Sequence, residues 1–231
     1  KDFFPELKAI RLDYDTTRGK SNFKKIINSF ENNEYDVLIG TQMVTKGLDF
    51  RNVSLVGVMN LDNSMNFPDF RSHERCFQLV QQVAGRSGRS KERGEVIVQT
   101  YNSKSNMITH IVNGDYKEFY NYQIKDRQKF NYPPFVKLIK ITFKHRDLNK
   151  VNNSSSWFFK KVFPYFNNNL LGPEFPYISR IRNKYQKNIM LKIPKSQSLS
   201  GVKNIIKKTT ISLHSISDFR AVQVIIDVDP Y

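Results

Sequence analysis

The sequence predicts an open α/β sheet domain followed by a small α+β domain, and three observations carry that reading. Short apolar strands alternate with helical stretches through the first half. A Tyr132-Pro133-Pro134 segment then forbids helix continuation and favours an extended link. Beyond it the order of elements changes to βαββαβ, the ferredoxin-like arrangement of two helices on an antiparallel sheet.

In the first half the strands read as 9–14, 36–41, 53–59 and 94–100. Three of them lack in/out alternation, which predicts a parallel sheet covered on both faces. A helix over 20–32 presents Phe23, Ile26, Ile27 and Phe30 on one face, and a second is expected over 69–89. From 106 to 129 the pattern is helical and amphipathic. After the Pro-Pro pair the expected order is strand 135–144, helix 150–166, strands 177–182 and 186–193, helix 199–213 and strand 221–227. Trp157 and Phe158 are expected to pack their helix onto the sheet. The domain limits expected are 1–105 for the α/β lobe, 106–134 for a helical linker and 135–231 for the C-terminal domain.

Composition excludes several classes. The chain has 231 residues, 39% of them hydrophobic, enough for real cores. No run approaches the roughly 18 uninterrupted apolar residues of a membrane helix. Cys76 is the single cysteine, so these residues hold no disulfide framework and no thiolate zinc site. His73, His110, His145 and His214 lack metal-ligand spacing. The first residues do not read as a signal peptide, and a reduced intracellular protein is expected.

Charge is unevenly placed. Residues 1–130 carry 20 basic and 16 acidic side chains, whereas residues 131–231 carry 17 and 5. A second half this basic points to a polyanion, most often nucleic acid, although an Asn- and Lys-rich composition also produces basic surfaces. Arg180, Arg182, Lys184, Tyr185 and Lys187 form a basic strand–turn–strand tip suited to phosphate contact, or else a solvated hairpin.

Two segments carry the densest chemical signal. In Gln82-Val83-Ala84-Gly85-Arg86-Ser87-Gly88-Arg89, helical spacing puts Gln82, Arg86 and Arg89 on one face. Two guanidinium forks and an amide on one stripe suit a phosphate-rich ligand. Gly85 and Gly88 each cost about 1 kcal/mol of helix stability relative to Ala, which fits a surface that another must approach closely. The other segment, Ile39 to Phe50, follows an apolar strand, the usual binding edge of an open α/β sheet. There Thr41 can bond phosphate, Gly47 permits a tight turn, and Asp49 can accept bonds from a ribose or orient an arginine.

With Asn66-Phe67-Pro68-Asp69-Phe70-Arg71-Ser72-His73-Glu74-Arg75 leading into the arginine stripe, the combination resembles the second motor lobe of superfamily 2 helicases. It closely resembles the PriA replication-restart helicases. Residues 39–50 look like motif V of that family, 82–89 like motif VI, and Arg11-Leu12-Asp13-Tyr14-Asp15-Thr16-Thr17 like the segment around motif IV. The Pro-Asp-Phe-Arg block and the terminal Asp227-Val228-Asp229-Pro230 also resemble PriA. The resemblance covers essentially the whole chain and implies a RecA-like parallel-sheet lobe followed by the family's small C-terminal domain. It implies an ATP-dependent DNA helicase of the bacterial cytoplasm, with ATP and Mg bound mainly by a first lobe. Arg89 would be the arginine finger, Arg86 its neighbour bridging to the first lobe, and Gln82 a positioner of water or phosphate. Gly47 and Asp49 would serve nucleotide binding, with Asp49 at the ribose, while Thr41 and Gln42 would meet the DNA backbone. Implied partners are branched or single-stranded DNA, primosome proteins and the single-stranded DNA-binding protein.

Departures from a whole motor are equally specific. Gly19-Lys20-Ser21 mimics the end of a phosphate-binding loop, but Tyr14 stands where that loop needs a glycine, so Lys20 reads as a helix start. No Asp-Glu-x-His magnesium motif occurs. The resemblance places both elements, and zinc-binding cysteine pairs, upstream of Lys1, so a portion of a longer protein is expected, inactive by itself. Two other readings stay open: a non-enzymatic nucleic-acid-binding module, against which Gln82, Gly85, Arg86 and Arg89 together argue, and another superfamily 2 translocase such as an RNA helicase, which would lack the ferredoxin-like tail.

Overall fold

A computed structural model describes residues 3–17, 20–41, 53–85 and 94–230. The chain divides into two units, Lys1–Asn121 and Tyr122–Tyr231. Strands β1 (Ala9–Leu12) and β2 (Val37–Gly40) pair in parallel, and so do β3 (Leu55–Val58) and β4 (Glu95–Val98). Helix α1 (Lys20–Glu31) connects the first pair, while α2 (Leu61–Met65) and α3 (Ser72–Ala84) connect the second. Parallel strands require such crossovers, because a tight turn cannot return the chain to the same end of the sheet.

The expected helical face of α1 is the one that packs. Ile27 is buried with Leu12, and Phe23, Ile26, Phe30 and Leu38 surround them. On the other pair, Cys76, Phe77 and Val80 of α3 join Leu61 and Phe119 in a core against which Val58 and Val98 pack. Burial lifts the Cys76 thiol pKa to about 11. The expectation of strands covered on both faces is corrected: one face of each pair meets a helix, and the opposite side chains of Val37, Ile39, Leu55 and Ile97 stay exposed. Among the described residues these four strands form two parallel ladders.

The helical stretch 106–129 is two helices, α4 (Asn106–Asn113) and α5 (Tyr116–Lys129). Ser105 caps α4 by accepting the Ile108 N–H at 3.2 Å, and Gly114, at φ 64°, ends it in the left-handed conformation that glycine adopts without Cβ strain.

The second unit holds the ferredoxin-like sheet. Strands β5 (Val136–His145), β6 (Leu170–Glu174), β8 (Lys184–Pro194) and β9 (Gln223–Val228) lie in the order β6-β8-β5-β9, all antiparallel. Helices α6 (Leu148–Phe166) and α7 (Leu199–Ser215) lie in the connections. Ile139, Ile141 and Phe143 of β5, with Ile189, Leu191 and Ile193 of β8, form one core with Phe158, Val162, Val202 and Ile206. Phe158 meets Phe143 edge-on at 5.3 Å, and Trp157 packs against the same cluster.

The second strand of this domain is a correction. It is Leu170–Glu174 rather than 177–182, where only the short β7 (Arg180–Ile181) pairs with β8. Gly172-Pro173 made the true strand look like a turn. At a sheet edge proline is tolerated, since no ladder donor is lost there. The register shifts between Leu171 and Glu174, and Gly172 at φ 98° lets the backbone of β8 approach.

Candidate nucleotide and nucleic-acid sites

Helix α3 positions the arginine stripe. Its apolar positions, Cys76, Phe77, Val80 and Val83, are buried, and Gln82 is exposed on another face. The helix is described to Ala84, with Gly85 as its C-cap. Arg86 and Arg89 lie outside the described residues, so the stripe is seen through Gln82 alone. The adjacent Gln81 acts within the fold. Its amide donates to the Ile111 carbonyl at 3.0 Å and rests against Gly114, tying α3 to α4. At the start of α3, the Asp69 carboxylate accepts the Arg71 N–H at 2.8 Å and pairs with Arg75 at 3.0 Å. The Pro-Asp-Phe-Arg block thus shapes the entry to the helix.

Thr41 is exposed immediately after β2, at the carboxyl end of a parallel strand. Gln42, Gly47 and Asp49 lie outside the described residues. The segment 11–17 is an Asp-centred turn: Asp13 accepts the Thr16 N–H at 2.9 Å and an ion pair from Arg11, while the Thr17 hydroxyl donates to the Asp13 carbonyl at 2.6 Å. The Thr16 N–H, followed by Arg11, holds the Asp13 carboxyl below its usual pKa.

The basic tip is a two-residue hairpin. Ile181 pairs with Lys184, and Arg182 and Asn183 between them take φ 48° and 61°, the left-handed values a type I′ turn needs. Arg182 and Lys184 are exposed there, and so is Arg180. Arg180 hydrogen-bonds Asn183 and lies 4.9 Å over the Tyr185 ring. Tyr185 and Lys187 are engaged elsewhere. Tyr185 packs against the core, while the Lys187 amine donates to Asn152 of α6 at 3.0 Å and lies 4.8 Å over Phe175. The pleat decides this, because residues 185 and 187 share the helix-covered face with 189 and 191.

Two further residues make contacts that sequence reasoning did not supply. Asp229 accepts the Leu138 N–H at 3.1 Å and returns its own N–H to the Leu138 carbonyl at 2.8 Å, so the Asp-Val-Asp-Pro ending seats β9 on β5. Lys192 donates to the Phe130 carbonyl at 2.7 Å and lies 3.9 Å over the Tyr132 ring, with burial lowering its pKa. The expected strand 186–193 covers that position but carries no hint of the contact. Among the described residues no cluster of three metal-ligating side chains occurs.

Residues 2–91 match the helicase conserved C-terminal domain, and residues 128–231 match the primosomal protein N C-terminal domain. The replication restart protein PriA of Bacillus subtilis (strain 168) is 36% identical over 229 residues, 98% of this chain and 28% of that protein. The chain belongs to the PriA family. Its PriA relative in Synechocystis is 38% identical over 194 residues, 83% of this chain and 23% of the relative. That of Chlamydia muridarum is 45% identical over 143 residues, 62% of this chain and 19% of the relative. The chain therefore spans between 19% and 28% of the length of these PriA relatives. Among the described residues no helix is long and apolar enough to cross a membrane.

Proposed function

We propose that this chain is the second motor lobe and C-terminal domain of an ATP-driven DNA helicase that remodels stalled replication forks and starts primosome assembly. The observation that carries it is the tandem match, in one chain and in order, of a helicase C-terminal domain and the PriA C-terminal domain. Residues 1–105 serve as the motor lobe, 106–134 as the connection, and 135–231 as the basic domain. ATP with Mg supplies the phosphoryl group to be cleaved and is held mainly by a first lobe. Arg89 stabilises charge developing on that group, Arg86 bridges to the first lobe, and Gln82, near the end of α3, orients water or phosphate. Gly47 and Asp49 serve nucleotide binding, with Asp49 at the ribose. Thr41 and Gln42 touch the DNA backbone, and the exposed Arg180, Arg182 and Lys184 grip phosphates without reading bases. Zinc belongs to upstream cysteines, and primosome proteins and the single-stranded DNA-binding protein are the partners, in the bacterial cytoplasm.

The test is kinetic. In the full-length protein, Arg89→Ala lowers kcat for DNA-stimulated ATP hydrolysis by roughly 10³–10⁵ with a smaller change in nucleotide affinity. Residues 1–231 alone hydrolyse no ATP. An unchanged kcat removes Arg89 from the role, and DNA-stimulated turnover by the short chain overturns the division of labour between lobes.

A further inference from the structure

The carboxyl ends of β3 and β4 are tied together by more than the strand ladder. Beyond Val58, the Asn60 N–H donates to the Gln99 side-chain oxygen at 3.1 Å, and the Leu61 N–H to the Gln99 carbonyl at 3.0 Å. Asp62 then spends both carboxylate oxygens on the opposite segment. One accepts the Thr100 hydroxyl and the other the Tyr101 N–H, each at 2.9 Å. The Thr100 hydroxyl in turn accepts the Asn102 N–H at 3.2 Å. The backbone under Tyr101 is thus fixed, yet its ring is given to solvent. Tyr101 is 94% exposed, more than any other large hydrophobic side chain among the described residues, and Met59, one residue past β3, is 75% exposed. A ring left in water adds no burial energy to the fold, whereas a fixed backbone lowers the entropy cost of stacking a ligand on it. The charge at this end suits an anion. Across 59–66 and 99–104 the sole carboxylate is Asp62, with both oxygens engaged, and Lys104 is exposed three residues after Tyr101.

We infer that Tyr101 is a stacking platform for a base of single-stranded nucleic acid, with Lys104 at an adjoining phosphate and Met59 offering apolar surface at the same end of the ladder. The inference rests on the DNA reading proposed above. It adds a contact with bases, where the other residues assigned to DNA touch its backbone alone. The carboxyl ends of strands are where open α/β sheets receive ligands. Stacking uses the π-face that every base presents, so it supplies affinity without choosing a sequence. It also differs in kind from the hairpin tip of the second unit, whose exposed cations meet phosphates and answer to salt. A stacked ring releases no counterions, so the two kinds of contact separate by their salt dependence.

Fluorescence anisotropy on the full-length protein tests it, with a labelled oligothymidylate and a fully abasic strand of the same length. Tyr101→Ala should weaken binding of oligothymidylate roughly 10-fold and leave the affinity for the abasic strand unchanged. Tyr101→Phe should bind both strands as the wild type does, because the ring is kept. The slope of log affinity against log salt should hold its wild-type value in Tyr101→Ala and fall by about 0.7 in Lys104→Gln. The melting temperature of Tyr101→Ala should match the wild type, since the ring faces water. Wild-type affinity for oligothymidylate in Tyr101→Ala overturns the platform, and so does an equal loss on the two strands. Weakened ATP binding with intact binding of oligothymidylate also overturns it, because the stacked base is then that of a free nucleotide. An unchanged slope in Lys104→Gln overturns the phosphate contact. A wild-type protein that binds neither strand would instead refute the DNA reading on which the platform rests.

Discussion

Neutralising the hairpin tip offers a quantitative test of nucleic-acid binding. Arg180, Arg182 and Lys184 are exposed at the turn, whereas Lys187 is held by Asn152 and Phe175. Each phosphate contact adds about 0.9 to the slope of log affinity against log salt on duplex DNA, and about 0.7 on single strands. Replacing Arg182 and Lys184 by Gln removes two contacts and lowers the duplex slope by about 1.8. Between about 50 and about 200 mM salt that slope is worth roughly a 12-fold change in affinity, so the wild type should lose that much more than the variant. Fluorescence anisotropy of a labelled short duplex, titrated at several salt concentrations, reads the slope directly. Lys187→Gln is the internal control and should leave the slope unchanged while lowering thermal stability. An equal slope change in Lys187→Gln, or in Lys207→Gln with Lys208→Gln on α7, would refute a specific tip. An unchanged slope in the tip variant would refute phosphate contact there.

Other outcomes follow from single sites. Gly172→Ala forces a Cβ into a φ of 98° and to 2.7 Å from the Asn188 carbonyl oxygen, so the C-terminal domain should lose about 2 kcal/mol in urea unfolding followed by Trp157 fluorescence. An unchanged midpoint would show that the β6–β8 approach relaxes freely. Asp13 has a depressed folded pKa, so its contribution is present above the unfolded value of about 3.9 and is lost as pH falls through the folded one. Carboxyl-resolved NMR should place its midpoint below that of an unstructured aspartate; a normal midpoint would rule out the Thr16 and Arg11 bonds. Cys76, buried and with its thiol pKa near 11, should resist a disulfide reagent at pH 8 until the lobe unfolds. Rapid labelling of the native chain would contradict its burial. The kinetic test of Arg89 stands beside these.

Much of this protein was decided by local pattern. The 3.6-residue period of Phe23, Ile26, Ile27 and Phe30 marks the buried face of α1, and the segments around β1 to β4 carry strand signals that any parallel partner satisfies. The motif residues and the two-domain order are equally local, which is why Gln82, Arg86 and Arg89 stand out in the linear sequence, whereas the division of the structure into units falls at Asn121/Tyr122 and not at the Pro-Pro pair. Tertiary structure decided what depends on neighbours through space. Leu170–Glu174 became a strand because an edge position forgives Pro173 and β8 needs a glycine beside Asn188. The five residues of the basic tip divided according to the pleat and to contacts from α6, which turned Lys187 inward and left Arg182 in solvent. Asp229 and Lys192 gained their roles from Leu138 and Phe130, 91 and 62 residues distant in the chain. Periodicity and turn chemistry act over a few residues and are written in order. Strand pairing, burial of a charge and the choice between a bonded and a free cation arise only when distant segments meet, because their free energy belongs to the pair rather than to either residue.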